Sequence, residues 1–179
     1  MDTHKLNFTI LELEIFSFLS MKSGEKLSQR EISKALQVSP TAVANAVRNL
    51  NKKNLVRIEK TKTINFISFN RDDAKAIMLK KIENQKGLYL SGLSDFLEEK
   101  FAGSTIVLFG SYSRGEDTKT SDIDIAVIGR KDKLLDLQTF ENILNRKINI
   151  NFYDSWKNIH KHLRNNILNG IVLHGSVDI

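Results

Sequence analysis

The chain has 179 residues, 41% of them hydrophobic and 27% charged, which is length for one large domain or two small ones with packed cores. It contains no cysteine, which excludes disulfides and thiolate metal sites, and no run approaches the roughly 18 uninterrupted apolar residues of a membrane span. The opening Met1-Asp2-Thr3-His4-Lys5 lacks the charged-then-apolar layout of a secretory signal, so a cytoplasmic protein with no membrane partner is expected. Charge separates the halves: residues 1–87 hold 16 Lys and Arg against 9 Asp and Glu, a net of +7, and residues 88–179 hold 11 against 12, a net of −1. A basic half joined to a neutral one points to two domains with different partners, the first a polyanion binder or a solvated lysine-rich surface.

Phe8, Leu11, Ile15, Phe18 and Leu19 recur at helical spacing and predict a first helix over Phe8–Leu19. Ser28-Gln29-Arg30-Glu31 is a capping box that opens a short helix to about Leu36, with Ile32 and Leu36 inward and Ala35 beside them. Ser39 is a good N-cap and Pro40 suits the first helical position, so a third helix is expected from Pro40 to about Asn54, with Val43, Val47 and Leu50 on its apolar face. Short helix, tight turn and longer helix make a helix-turn-helix. Leu55–Glu59 and Thr63–Ile67 then alternate like the strands of a hairpin, with Lys60, Thr61 and Lys62 at its tip.

The stretch REISKALQVSPTAVANAVRNLNKKNLV, with the hairpin after it, resembles the winged helix-turn-helix domains of bacterial and archaeal regulators over roughly residues 7–70. The resemblance implies double-stranded DNA as partner. The third helix would enter the major groove with Thr41, Asn45 and Arg48, while Lys60, Lys62 and Arg57 meet the backbone. The competing reading is a protein–protein module whose exposed side chains are merely solvated.

Asn70 is a candidate cap for a helix from Arg71. Ala74, Ile77, Met78 and Ile82 recur at helical spacing, Gly87 and Gly92 interrupt, and Leu88, Leu90, Leu93, Phe96 and Leu97 resume the pattern to Phe101. This reads as one kinked helix or two consecutive ones, compatible with a homodimer.

Beyond it come a strand at Thr105–Phe109, a Gly-Ser turn, a strand at Asp122–Ile128, a helix at about Leu134–Leu144, a strand at Lys147–Tyr153 and a terminal helix ending near Gly170. The chemistry lies in GSYSRGEDTKTSDID, Gly110 to Asp124. Side chains alternate along a strand, so Asp122 and Asp124 share a face. Two carboxylates beside a Gly-Ser turn are what holding a divalent metal next to a phosphate requires. Gly110 allows a sharp turn, and Ser111 opens a helical turn whose free amides can meet phosphate oxygens. Arg114 and Lys119 lie in the intervening loop, as phosphate-neutralising cations or as solvated ones. His160 and His162 stand two apart and predict no metal pair. Phe152, Tyr153 and Trp156 read as core or domain contact, Ser155 as a cap for the last helix, and Ile167, Ile171 and Leu173 as buried against the sheet.

IVLFGSYSRGE, SDIDIAVIG and the spacing between them resemble the minimal nucleotidyltransferases of the DNA-polymerase-β superfamily over about residues 90–175. The resemblance implies an α+β chain of three parts. These are a winged helix-turn-helix (residues 1–70), a helical connector (71–91) and a small α/β nucleotidyltransferase domain with a mixed sheet (92–179). It also implies one or two Mg²⁺ ions on Asp122 and Asp124, and a nucleoside triphosphate, ATP first among them, near Gly110, Ser111, Arg114 and Lys119. The family sets a third carboxylate on the next strand. Asn149 occupies that position here, and an amide cannot act as a base at neutral pH. Asp154 lies at an odd offset from it and so faces the other side of a regular strand.

Two functions follow, with a third, blander one beside them. One is an enzyme that transfers AMP to an acceptor and releases pyrophosphate. One subgroup similar to this second half forms the antitoxin of a toxin–antitoxin pair and adenylylates a tyrosine on a HEPN-domain ribonuclease. The other is a DNA-binding regulator whose second half senses nucleotide with weak or no turnover, as Asn149 would favour. A pure interaction module, with both sites vestigial, is the third and blandest.

Overall fold

The computed structural model describes residues 8–178, and the chain divides into two compact units between Lys80 and Lys81. In the first unit, α1 (Ile10–Met21) starts two residues later than its periodicity suggests. The reason is Thr9, whose hydroxyl accepts from the Glu12 amide while the Glu12 carboxylate accepts from the Thr9 amide, an N-terminal box that sets the helix start. The Ser28–Glu31 box opens α2 (Gln29–Leu36), and Ser39 with Pro40 opens α3 (Pro40–Lys52). Between them Gln37 turns through the left-handed region at φ 54°. Ile15, Leu19, Ile32, Val43, Val47 and Leu50 meet Leu55, Val56 and Ile67 in one core. Ala35, expected near that core, is exposed, because it sits at the edge of the Ile32–Leu36 stripe.

A three-stranded antiparallel sheet in the order β1-β3-β2 completes the unit, from β1 (Leu27–Ser28), β2 (Val56–Lys60) and β3 (Asn65–Phe69). Its hairpin tip is Thr61–Ile64 rather than Lys60–Lys62. The Thr61 hydroxyl donates to the Ile64 carbonyl at 2.6 Å and accepts from its amide at 3.0 Å, which closes the turn one residue later and leaves Ile64 exposed. Helix-turn-helix plus hairpin is the winged-helix arrangement.

Among the described residues of this unit, one carboxylate is buried. Glu12 is 3% exposed, accepts from Asn49 Nδ2 at 2.9 Å, and lies 3.6 Å from Lys53 Nζ. Burial alone raises its pKa. The Thr9 amide, the Asn49 side chain and the Lys53 charge outweigh that and hold the carboxyl below its ordinary value. A depressed carboxylate contributes stability that is complete above its unfolded pKa and is lost as pH falls through the folded one. Urea midpoints measured against pH are therefore expected to fall on the acid side of that window in the wild type. They should fall less in Glu12→Gln, which should lower stability at neutral pH by about 1–3 kcal/mol.

Helix α4 (Ala74–Leu90) begins in the first unit and ends in the second. Asp73, not Asn70, receives the Ala76 amide at its start, at 2.9 Å. Asn70 instead donates to the Asn54 carbonyl at 2.7 Å and accepts from the Asp72 amide. The buried stripe of α4 is Ala76, Lys80, Asn84 and Leu88, whereas Ala74, Met78 and Ile82, expected inward, are exposed. A lysine and an asparagine on the covered face hide it from a hydrophobicity pattern. Gly87 does not interrupt the helix. The break is at Ser91-Gly92, where Gly92 takes φ 78° and α5 (Leu93–Lys100) starts.

The second unit carries a mixed four-stranded sheet in the order β6-β5-β4-β7, from β4 (Thr105–Phe109), β5 (Ile123–Ile128), β6 (Ile148–Tyr153) and β7 (Ile171–His174). β5 and β6 run parallel, and the other pairs are antiparallel. Ile171 and Leu173 are thus part of the sheet as an extra edge strand, not merely packed on it. The expected helix from Leu134 shrinks to α7 (Gln138–Leu144), since residues 129–137 take irregular backbone. Ser155 precedes a 3-10 turn at Trp156–Asn158 with no side-chain cap bond, and α8 (Lys161–Leu168) follows His160.

Strand alternation sorts the sheet into two faces. Ile106, Leu108, Ile123, Ile125, Val127 and Ile148 join Leu88, Leu93 and Leu97 on one. Val107, Phe109, Ala126 and Ile128 join Trp156, Ile159 and Ile167 on the other. Asp124, Asn149 and Asn151 alternate onto that second face.

Candidate functional site: two aspartates, an asparagine and a glycine turn

Phe109 is paired with Asp124 across β4 and β5, and Asp124 with Asn149 across β5 and β6. The next residue after Phe109 is Gly110, which opens α6 (Gly110–Arg114) at φ +77°. A Cβ built there would stand 2.6 Å from Asp124 Oδ2, so only glycine lets the chain pass the carboxylate this closely. Asp122 lies just before β5. Asn149 Nδ2 donates to Asp122 Oδ2 at 3.1 Å and sits 3.4 Å from Asp124 Oδ1, so one amide holds both acids together. Asp122 and Asn149 are exposed and Asp124 is half-buried, which leaves their oxygens open to a ligand.

Ser111 is the second residue of α6 and half-buried. Of the two loop cations, Arg114 has polar side-chain neighbours, and Lys119 takes part through its backbone. Arg114 Nε donates to Glu116 at 2.7 Å and Nη1 to Asn166 Oδ1 at 3.2 Å, while the Lys119 carbonyl accepts from Arg146. Both side chains are exposed at the loop surface. Asp154 is exposed beyond the end of β6 and takes no place among the aspartates.

The group that shapes the site was not legible in the sequence. Asp117, in the loop between the two halves of the motif, is fully buried. It pairs with Arg146 Nη2 at 3.0 Å and accepts from Asn84 Nδ2 at 2.7 Å. Asn84 also donates to the Tyr112 carbonyl, and the Tyr112 hydroxyl donates back to the Asn84 carbonyl at 3.3 Å. Burial, with the Asp117 charge adding to it, raises the Tyr112 phenol well above its ordinary value, so it stays a neutral donor. The loop from Gly115 to Ser121 is thereby tied to α4 and to the start of β6. The Glu141 carboxylate fixes that start again by accepting from the Ile148 amide at 3.0 Å. No spacing rule joins positions 84, 117 and 146.

Elsewhere, the His160 and His162 rings lie 5.6 Å apart, nearer than their spacing on a helix would place them, because His160 precedes α8. Among the described residues no group of three or more His, Cys, Asp or Glu is placed to hold a metal ion. A groove of about 670 Å³ lined by Leu134, Leu137, Ile150, Phe152 and Tyr153 lies along β6 towards the end away from Asn149.

Two family models match the chain, one for each unit. The model for the nucleotidyltransferase domain matches residues 90–177, and the MarR family model matches residues 6–63. Three proteins of Methanocaldococcus jannaschii, each named provisionally as a protein adenylyltransferase, are similar to this chain. One is 42% identical over 59 residues, covering 30% of this chain and 69% of the relative. A second is 41% identical over 70 residues, 36% of this chain and 72% of the relative. The third is 37% identical over 76 residues, 32% and 76%. The chain belongs to the nucleotidyltransferase domain family. It carries a MarR-type winged helix ahead of that domain. A point mutant of Lactococcus lactis ZitR matches 55% of this chain and 65% of its own at TM-score 0.40 and 19% identity, too loose a likeness to build on.

For a nucleotidyltransferase the donor set fits magnesium. Two carboxylates with convergent, accessible oxygens are hard ligands, and Mg²⁺ is held through one or two carboxylates plus substrate phosphates rather than by a closed protein cage. Asp122 and Asp124 would hold it.

On the first unit, Thr41, Asn45 and Arg48 are exposed on one side of α3, opposite Val43, Val47 and Leu50. Lys60 and Lys62 are exposed at the hairpin end. Arg57 is paired with the exposed Asp72. No helix among the described residues is long and apolar enough to cross a membrane.

Proposed function

We propose that the second unit transfers AMP from ATP to a protein hydroxyl and that the first binds double-stranded DNA as part of a cytoplasmic homodimer. The convergence of Asp122 and Asp124 beside Gly110, within a nucleotidyltransferase domain, carries the reading. Bound magnesium would supply neutralisation of the phosphate charge. The acceptor oxygen forms a bond to the α-phosphorus, the α–β bridging bond breaks, pyrophosphate leaves, and the acceptor proton passes to solvent. Gly110 and Ser111 offer backbone amides to the phosphates, and Arg114 and Lys119 add positive potential at the loop. The names of the archaeal relatives support a protein acceptor, and a HEPN-domain ribonuclease is the candidate implied by the sequence resemblance. Incubation with α-labelled ATP, Mg²⁺ and such acceptors tests this. Label transfer that Asp124→Asn reduces by about 100- to 1,000-fold is expected, on the scale of removing one essential electrostatic partner. Transfer unaffected by Asp124→Asn would overturn the assignment.

Asn149 favours a second reading, in which nucleotide is bound but not turned over and biases DNA affinity, a coupling that is reciprocal by linkage. Nucleotide binding in calorimetry without label transfer would select it.

For the first unit, fluorescence anisotropy with duplex DNA should show affinity falling steeply with salt. The pair Lys60→Ala and Lys62→Ala is expected to reduce the log–log salt slope by about 2, close to one released counterion per lost phosphate contact. Arg57→Ala should change it less, since Arg57 is paired with Asp72. A flat salt response in the wild type would exclude DNA as the partner.

A further inference from the structure

We infer that this chain binds one divalent ion per bound nucleotide and that residue 149 is what limits it to one; the inference rests on the nucleotidyltransferase reading and deepens it. Three observations carry it. First, the parallel register sets Asn149 directly beside Asp124, in the row where a third carboxylate would meet the other two. Second, the amide nitrogen of Asn149 faces the acids, 3.1 Å from Asp122 and 3.4 Å from Asp124, so its protons occupy the space between them. Third, among the described residues no third acid or histidine joins Asp122 and Asp124 in a group able to hold a metal.

The physical consequence follows from ligand number. The two carboxylates can anchor one divalent ion, whose remaining positions water and phosphate oxygens can fill. A second ion about 3.5–4 Å away needs ligands of its own. Asn149 could supply one only by turning its oxygen inward, giving up its contacts with both acids, and a neutral amide oxygen would return less attraction than a carboxylate. Asn149 therefore acts as a positioning residue. It holds the acids convergent without adding charge, and the acceptor proton is left without a protein base at this position.

The stoichiometry is directly measurable without turnover. Electron paramagnetic resonance of Mn²⁺ titrated into the protein saturated with α,β-methylene-ATP, set against the nucleotide alone, should count one bound ion per wild-type site. Asn149→Asp should count two, with the second ion bound at least 10-fold more tightly than any second ion in the wild type. Two ions in the wild type would overturn the inference and leave the nucleotidyltransferase reading intact. One ion in a folded Asn149→Asp would overturn it too, since residue 149 would then not set the number. No ion and no nucleotide bound by the wild type would overturn both. Because the wild-type count stands alone, a variant that fails to fold does not shelter the claim.

Discussion

Gly110→Ala is expected to lower AMP transfer by about 100-fold or more, the size of effect that a misplacement of about 1 Å produces in a reacting site, while the second unit stays folded. The new Cβ would lie 2.6 Å from Asp124 Oδ2, and the next contacts are at 3.5 Å, to the Cβ and Cγ of the same side chain. The clash is therefore with the end of a movable side chain, not with backbone. The carboxylate rotates away, the fold absorbs the change, and Asp124 leaves its place beside Asp122 and Asn149. A backbone cost of about 1–3 kcal/mol accompanies it, since φ +77° is strained for alanine. Gly103→Ala separates the two effects. Gly103 has φ +81° with nothing within 4 Å of its Cβ position, so it should lose comparable stability and keep transfer. Thermal unfolding and initial transfer rates on both variants make the comparison. Equal activity losses in the two would show that the strain, and not the carboxylate, is responsible.

That pairing explains how far sequence reading reached. Gly110, Asp122, Asp124 and Asn149 could be brought together on paper because they obey local rules: a strand end, alternation along a strand, and equivalent positions on parallel neighbours. The helices of the first unit were legible for the same reason, since Ser28, Glu31, Ser39 and Pro40 act within a turn of themselves. Failures came where the deciding contact was distant or polar. The α4 stripe was misread because Lys80 and Asn84 sit on the covered face. The hairpin tip moved because the Thr61 hydroxyl competed for the turn. β7 was missed because Ile171–His174 is four residues long and pairs with a strand more than 60 positions earlier. The contacts of Arg114 with Glu116 and Asn166 were likewise invisible, since Asn166 lies 52 positions away.

The Asn84–Asp117–Arg146 cluster is the largest of those omissions, and it is also where stability and chemistry meet. The loop it anchors runs from the end of α6 to Asp122, so the separation of the Gly-Ser turn from the aspartates depends on it. The cluster ties a five-residue helix and a seven-residue stretch of irregular backbone to α4 and to the start of β6. Buried charge is tolerated here because each Asp117 oxygen has a partner, Asn84 on one and Arg146 on the other.

Arg146→Ala should therefore destabilise the second unit by about 3–5 kcal/mol, the range for stranding one member of a buried ion pair. Asp117 is 1% exposed and would lose its ion pair with Arg146, and the Lys119 carbonyl would lose the Arg146 donor. The chain's single tryptophan, Trp156, is buried in the same unit, so its fluorescence during urea unfolding reports on this unit directly. Arg146→Lys keeps the charge but not the fork that spans Asp117 and Lys119, and should lose part of the same amount. The decisive variant is the double one, Asp117→Asn with Arg146→Met. The amide that replaces the carboxylate carries no charge, and its oxygen can still accept from Asn84, so most of the stability should return. Transfer should not return with it, because the Arg146 bond to the Lys119 carbonyl would still be missing. A loss below about 1 kcal/mol in Arg146→Ala, or a double variant no more stable than the single one, would show that the pair is not what secures the loop.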